Sequence, residues 1–212
     1  MNIIDNEYPE ILPIVQVNKK LLVMLHGVGS DGGDLISLVP FMQQQLDNYH
    51  FMAPHGIEQY DMAPYGRQWF SLQDRSAPTI RKLIYNNADK VQQIITTKQD
   101  ELGLTNAETV VLGFSQGTMI SSYLTFTQKT PYAAMIALSG IVCPPDTINN
   151  NTTPICIVHG VEDQIIHVDE SKKFVKYCKE HNIPYQIKLI DNLGHSIDMS
   201  GLEFVVNFIK NL

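Results

Sequence analysis

The stretch Thr109-Val110-Val111-Leu112-Gly113-Phe114-Ser115-Gln116-Gly117-Thr118-Met119-Ile120 decides how this chain is read. Thr109 to Leu112 are β-branched or apolar and predict a strand, and a helical pattern opens directly after Gly117. Between them lies G-x-S-x-G, the strand–turn–helix setting of a nucleophile elbow. The glycines have a physical reason. A serine held on a strained turn lifts its Oγ clear of the sheet, and strand and helix then approach so closely that flanking side chains would clash. The competing reading is a serine in an ordinary tight turn.

Outward from this stretch, short apolar runs alternate with segments of helical period. Strands are expected at Ile11–Val17, Leu21–His26, Tyr49–Ala53, Thr109–Phe114, Ala133–Ser139, Ile155–His159 and Tyr185–Ile190. Several are apolar throughout, as in strands buried on both faces of a parallel sheet. Helices are expected at Asp34–Leu46, Ala88–Leu102, Gln116–Gln128, Asp169–His181 and Met199–Lys210. The alternation predicts a doubly wound α/β fold, with a mostly parallel central sheet and helices on both faces. No composition shift marks a linker, so residues 1–212 are expected to form a single domain. His55 to Thr79 shows no sustained period and reads as a long loop beside the substrate. It carries the only tryptophan, in Gly66-Arg67-Gln68-Trp69-Phe70. Trp69 and Phe70 either staple this loop to the core or line the binding site.

A nucleophilic serine needs a base, and the base needs an orienting carboxylate. In a hydrolase of this kind they follow in the order Ser, Asp or Glu, His, each just beyond a strand. Asp163 follows the strand at Ile155–Val158, and His195 follows the strand at Gln186–Ile190. Glu162 is the rival acid, while Asp191 and Asp198 are nearby carboxylates. Asp198 reads equally well as a helix N-cap. His26 and His159 end apolar strands without the context of a base, and His50, His55, His167 and His181 read as surface or loop residues.

Gly27, Gly29 and Gly32 formally match a dinucleotide fingerprint, G-x-G-x-x-G after a strand. The acid that should end the next strand is misplaced: Asp47 precedes that strand instead. An NAD-dependent oxidoreductase is therefore disfavoured. The same turn suits an oxyanion hole built from the backbone N–H groups of Val28 and Gln116. Ser115 would then attack an ester or thioester carbonyl and form an acyl-enzyme that water hydrolyses. His195 would act as base and acid, with Asp163 fixing its tautomer. No metal and no organic cofactor is required.

Composition agrees. Across 212 residues, 15 Lys and Arg face 22 Asp and Glu, a formal charge of −7. That balance argues against a nucleic-acid partner, which would need clustered cations. The three cysteines, Cys143, Cys156 and Cys178, form no closed disulfide framework and no zinc pattern, which suits a reducing, cytoplasmic setting. Residues 1–7 lack the charge and apolar pattern of a secretory signal, and no apolar run approaches the length of a transmembrane segment.

Five segments together resemble the phospholipase/carboxylesterase family: LHGVGSDGGDL (25–35), APHGIEQYDMAPYGRQWF (53–70), GFSQGT (113–118), HGVEDQIIHV (159–168) and LGHSID (193–198). The family comprises bacterial carboxylesterases, lysophospholipases and acyl-protein thioesterases. The resemblance implies an α/β-hydrolase fold, a triad of Ser115, Asp163 and His195, and Val28 and Gln116 at the oxyanion hole. It also places the Trp69 loop beside the acyl channel. Thr118 departs from the small residue usual in the family and is expected to tilt the elbow helix slightly. Ser30-Asp31 replaces the Gly-Asp common in thioesterase-like members.

The expectation is a serine carboxylesterase for short or medium acyl esters, with Trp69, Phe70, Ile165 and Ile166 shaping the substrate site. Acyl-protein thioesterase and lysophospholipase share the chemistry and stay open, as does a homodimer. A non-catalytic binding protein on the same fold is the alternative of another class.

Overall fold

The computed structural model describes residues 8–212; the N-terminal stretch 1–7 lies outside the described residues. In chain order the elements are β1 (Glu10–Ile11), β2 (Lys20–Leu25), α1 (Gly32–Ile36), β3 (Tyr49–Met52), β4 (Glu58–Gln59) and β5 (Arg67–Gln68). They continue with α2 (Ala77–Leu102), β6 (Thr109–Phe114), α3 (Gln116–Thr127), β7 (Ala134–Leu138), β8 (Ile155–Gly160), α4 (Asp169–Glu180), β9 (Tyr185–Ile190) and α5 (Met199–Lys210). The main sheet runs β1-β3-β2-β6-β7-β8-β9. Every neighbouring pair is parallel except β1 with β3. This is the mostly parallel α/β architecture expected of an α/β-hydrolase.

The uniformly apolar strands are explained by two buried faces. Leu22, Met24, Val110, Leu112, Ile136 and Val158 pack on the side covered by α1 and α5. Leu21, Val23, Leu25 and Val111 pack on the other side, against α2 and α3. Further along that second side, Met135, Ala137, Ile155 and Ile157 meet Phe174 and Cys178 of α4. Each large side chain removed from water contributes about 1.5–3 kcal/mol before chain entropy is subtracted. Every position of the edge strand β9 is half-buried or exposed, and none is fully buried.

Several elements differ from the expected boundaries. The predicted strand Ile11–Val17 is reduced to Glu10–Ile11, and Leu12, Ile14 and Val17 are exposed. Pro13 removes a ladder donor just past the strand. The predicted helix Asp34–Leu46 ends at Ile36, and Pro40 lies in a separate 3₁₀ turn at Val39–Phe41. A proline there cannot continue an α-helix. Conversely, α2 begins at Ala77 rather than Ala88, with Pro78 in its first turn where no intrahelical N–H is needed. The expected loop His55–Thr79 is accordingly shorter and contains the β4–β5 hairpin, with Glu58 opposite Gln68. His50 is not at the surface but buried, donating from Nε2 to Glu10 Oε2 at 2.8 Å.

From β2 the chain moves outward to β3, and later returns to the opposite side of β2 with β6. The turn after β2 and the turn after β6 therefore face each other across the topological switch point, where open α/β sheets form their binding crevice.

Candidate active site

Ser115 stands between β6 and α3 with φ 53° and ψ −113°, a backbone conformation that costs a non-glycine residue on the order of 1–3 kcal/mol. The surroundings hold it there. Ser115 N–H donates to Leu138 O at 2.9 Å, and Thr118 N–H donates to Ser115 O at 3.0 Å. A side chain on Gly113 would overlap the backbone of Gly117, and one on Gly117 would overlap the carbonyl oxygen of Leu25. Thr118 finds room because Gly140 has no side chain, and its hydroxyl donates to Gly113 O at 2.7 Å.

The base and the acid expected from sequence lie beside the serine. Ser115 Oγ is 3.0 Å from His195 Nε2, and His195 Nδ1–H donates to Asp163 Oδ2 at 2.6 Å. Asp163 Oδ1 accepts from the N–H groups of Ile165 and Ile166, both at 2.9 Å. Asp163 is 2% exposed. Burial alone would push its carboxyl up, but the hydrogen bonds from His195, Ile166 and Ile165 outweigh that and hold it below the usual carboxylate range. The His195 ring lies 5.0 Å from Phe114, in a tilted contact.

Two groups to which the sequence reading gave no role in the site bring these loops together. Gly160 lies against the carbonyls of Leu193 and Gly194, so a side chain there would force the His195 loop away from the Asp163 loop. His159 is fully buried; its Nε2–H faces Ile166 O at 2.8 Å and Asp163 Oδ2 at 3.2 Å, while Nδ1 accepts from Ser171 Oγ at 2.6 Å. The recurring His-Gly pair at the end of an apolar strand was the available signal. Glu162, the rival acid, is exposed, and only its backbone N–H is engaged, with Leu193 O at 3.0 Å. Asp198 caps α5, accepting from Gly201 N–H at 2.8 Å.

The turn after β2 approaches the serine closely. A side chain on Gly27 would stand 3.3 Å from Ser115 Cβ and 3.1 Å from the Phe114 ring. Among the described residues, the N–H groups of Val28 and Gln116 donate to no protein acceptor. The turn is braced by Arg67: Gly29 N–H donates to Arg67 O at 2.9 Å, and Arg67 N–H donates to Ser30 O at 2.7 Å.

Trp69 and Phe70 correct an expectation. Both are fully buried, so neither offers surface for a substrate to touch. They act as the staple. Trp69 Nε1–H donates to His26 O at 2.8 Å, and the Gln116 amide accepts from Trp69 N–H at 2.9 Å and donates to Phe70 O at 2.7 Å. The side chain of Gln116 thus binds the 69–70 segment to the elbow helix. Ile165 is 72% exposed and Ile166 is half-buried, while their backbones hold the acid. Among the described residues no group of three His, Cys, Asp or Glu converges as metal ligands, and no helix is long and apolar enough to cross a membrane.

A mostly parallel sheet covered on both faces, with a positive-φ serine at its switch point, defines an α/β-hydrolase. The crystal structure of esterase PE8 superimposes with a TM-score of 0.91 at 26% identity, covering 97% of this chain and 98% of that one. Among curated relatives, acyl-protein thioesterase 1 of Yarrowia lipolytica is 23% identical, covering 96% of each chain. Esterase YpfH of Escherichia coli is 22% identical, covering 91% of this chain and 82% of its own. Residues 6–212 match the phospholipase/carboxylesterase family, to which this chain belongs. It is a hydrolase of the esterase and thioesterase type.

Proposed function

We propose that the chain hydrolyses carboxylic esters of small molecules with short to medium acyl chains, using Ser115 as nucleophile, His195 as general base and acid, and Asp163 as orienting carboxylate. The observation that carries this reading is the continuous relay from Ser115 Oγ through His195 to Asp163, at 3.0 and 2.6 Å, on a serine held at positive φ.

His195 takes the Ser115 proton as Oγ adds to the carbonyl carbon, and the resulting imidazolium is stabilised by Asp163. The developing oxyanion is received by Val28 N–H and Gln116 N–H, each such donor contributing about 3–4 kcal/mol in comparable sites. His195 then returns the proton to the departing alcohol. Water, deprotonated by the same ring, cleaves the acyl-enzyme. Ile165 and Ile166 form the rim that meets the acyl chain. The whole of 1–212 acts as one domain, without a metal or organic cofactor, in a cytoplasmic setting.

A second reading is favoured by the relatives named acyl-protein thioesterase 1: a thioester in place of the ester, with the same residues in the same roles. A fluorophosphonate probe tests the nucleophile. Labelling mapped to Ser115, and abolished in Ser115→Ala, is expected; labelling elsewhere overturns the assignment. A p-nitrophenyl ester series from acetate to palmitate, set against matched thioesters, separates the two readings.

A further inference from the structure

His26 ends β2 and is fully buried, yet takes no part in the relay described above. Its ring has one self-consistent protonation pattern. Gly56 N–H donates to Nε2 at 2.8 Å, so Nε2 must carry a lone pair. The ring proton therefore sits on Nδ1, which donates to Gly27 O at 2.7 Å. Burial pushes the imidazole down to about 4, which keeps it neutral at ordinary pH.

Gly27 O belongs to the same peptide unit as Val28 N–H. A trans peptide is planar, with C=O and N–H pointing in opposite directions, so whatever holds the carbonyl also aims the amide hydrogen. We propose that His26 is a positioning residue: by gripping the Gly27 carbonyl, it fixes the direction of the Val28 N–H that receives the oxyanion. The inference rests on the oxyanion role of Val28 given under the proposed function.

The grip is itself held. The Trp69 ring lies 5.1 Å from the His26 ring, and Trp69 Nε1–H donates to His26 O at 2.8 Å. Arg67 Nε–H donates to Gly56 O at 2.8 Å and so steadies the segment that meets Nε2. Ser30 N–H is a second, longer donor to Gly27 O at 3.3 Å. The loop before Trp69 and the turn after β2 are thereby joined through one imidazole.

Two amide variants divide the ring's two bonds. His26→Asn places an amide N–H near the Nδ1 position and gives up the acceptor for Gly56. His26→Gln places its amide near Nε2, keeps an acceptor for Gly56 and gives up the grip on Gly27. The expected result is a fall in kcat of about 100-fold for His26→Gln and about tenfold or less for His26→Asn, with KM changed by less than about threefold in both. Affinity for an alkyl boronic acid, whose tetrahedral adduct occupies the oxyanion hole, should fall in step with kcat/KM. Equal losses in the two variants, or undiminished boronate affinity, overturn the proposal. NMR of the wild-type ring gives an answer even if neither variant folds: a neutral Nδ1–H tautomer supports the proposal and an Nε2–H tautomer overturns it. Fluorophosphonate labelling of wild-type Ser115 separates the two levels. Without it the nucleophile reading and this inference fall together. With normal labelling, equal variants overturn the positioning role alone.

Discussion

Gly117, at the start of α3, lies so close to Leu25, at the end of β2, that a Cβ on the glycine would overlap the leucine carbonyl oxygen. The obstacle is backbone, which cannot swing aside as a side chain can, so helix and strand must separate. Gly117→Ala is expected to cost about 3 kcal/mol of stability, the upper range for overpacking, and to lower kcat at least about 100-fold by moving Ser115. Gly103→Ala is the control. It has φ +66° but nothing within 4 Å of the added carbon, so about 1 kcal/mol and unchanged activity are expected. Denaturant midpoints and ester turnover check both, and similar effects at the two sites would refute the close-approach argument.

Ser115 carries its strain whether or not it has a hydroxyl. Ser115→Ala should therefore lose turnover with little change in melting temperature. Ser115→Gly should lose turnover and gain about 1 kcal/mol, because glycine accepts a φ of 53° without the steric cost. A Gly variant less stable than the Ala variant would mean that the elbow is not strained.

Asp163 and Glu162 are adjacent in sequence but not in environment. Asp163 has both carboxylate oxygens engaged inside the protein, whereas Glu162 is exposed. Asp163→Asn should reduce kcat by about 10⁴-fold, through loss of the tautomer-fixing acceptor. Glu162→Gln should leave it within about twofold. Steady-state kinetics on one p-nitrophenyl ester decide the matter, and a larger loss at Glu162 would transfer the acid's role to it.

Much of this site was legible because its chemistry fixes both residue type and order. The runs Val110–Leu112 before Ser115 and Ile155–Val158 before Asp163 are uniformly apolar, so those strand ends could be located from composition alone, while the strand before His195 carries Gln186 and Lys188 among its apolar residues. What escaped were properties that depend on contacts across the chain. The start of α2 was expected at Ala88, although Ile80 and Ile84 already extend the buried stripe of Ala88, Val91 and Ile95 back toward Pro78. Trp69 sat in a long aperiodic loop and was open to a substrate role. Its burial depends on Gln116 and His26, distant in sequence by 47 and 43 positions. His50 looked solvent-exposed because its partner, Glu10, lies 40 residues away. No local pattern encodes such pairings.

Stability should respond to acid in a window set by His26. In the folded protein burial pushes this imidazole down to about 4, against 6.5 for an unhindered histidine. Between those two values the unfolded chain binds a proton that the folded protein does not, so stability falls as pH falls. From pH 7 to pH 5 the loss from this one group is about 2 kcal/mol. Asp163 acts in a different range: its carboxyl is held below the ordinary aspartate value of 3.8, so the stability it contributes is present above that value and lost as pH drops below it. Denaturant midpoints at pH 7, 6 and 5 should therefore decline in the wild type, and the decline should be shallower in His26→Gln, which has no ring to protonate. If the two proteins decline in parallel, His26 is not the residue held neutral by the fold, and the protonation pattern that aims its Nδ1–H at Gly27 loses its support.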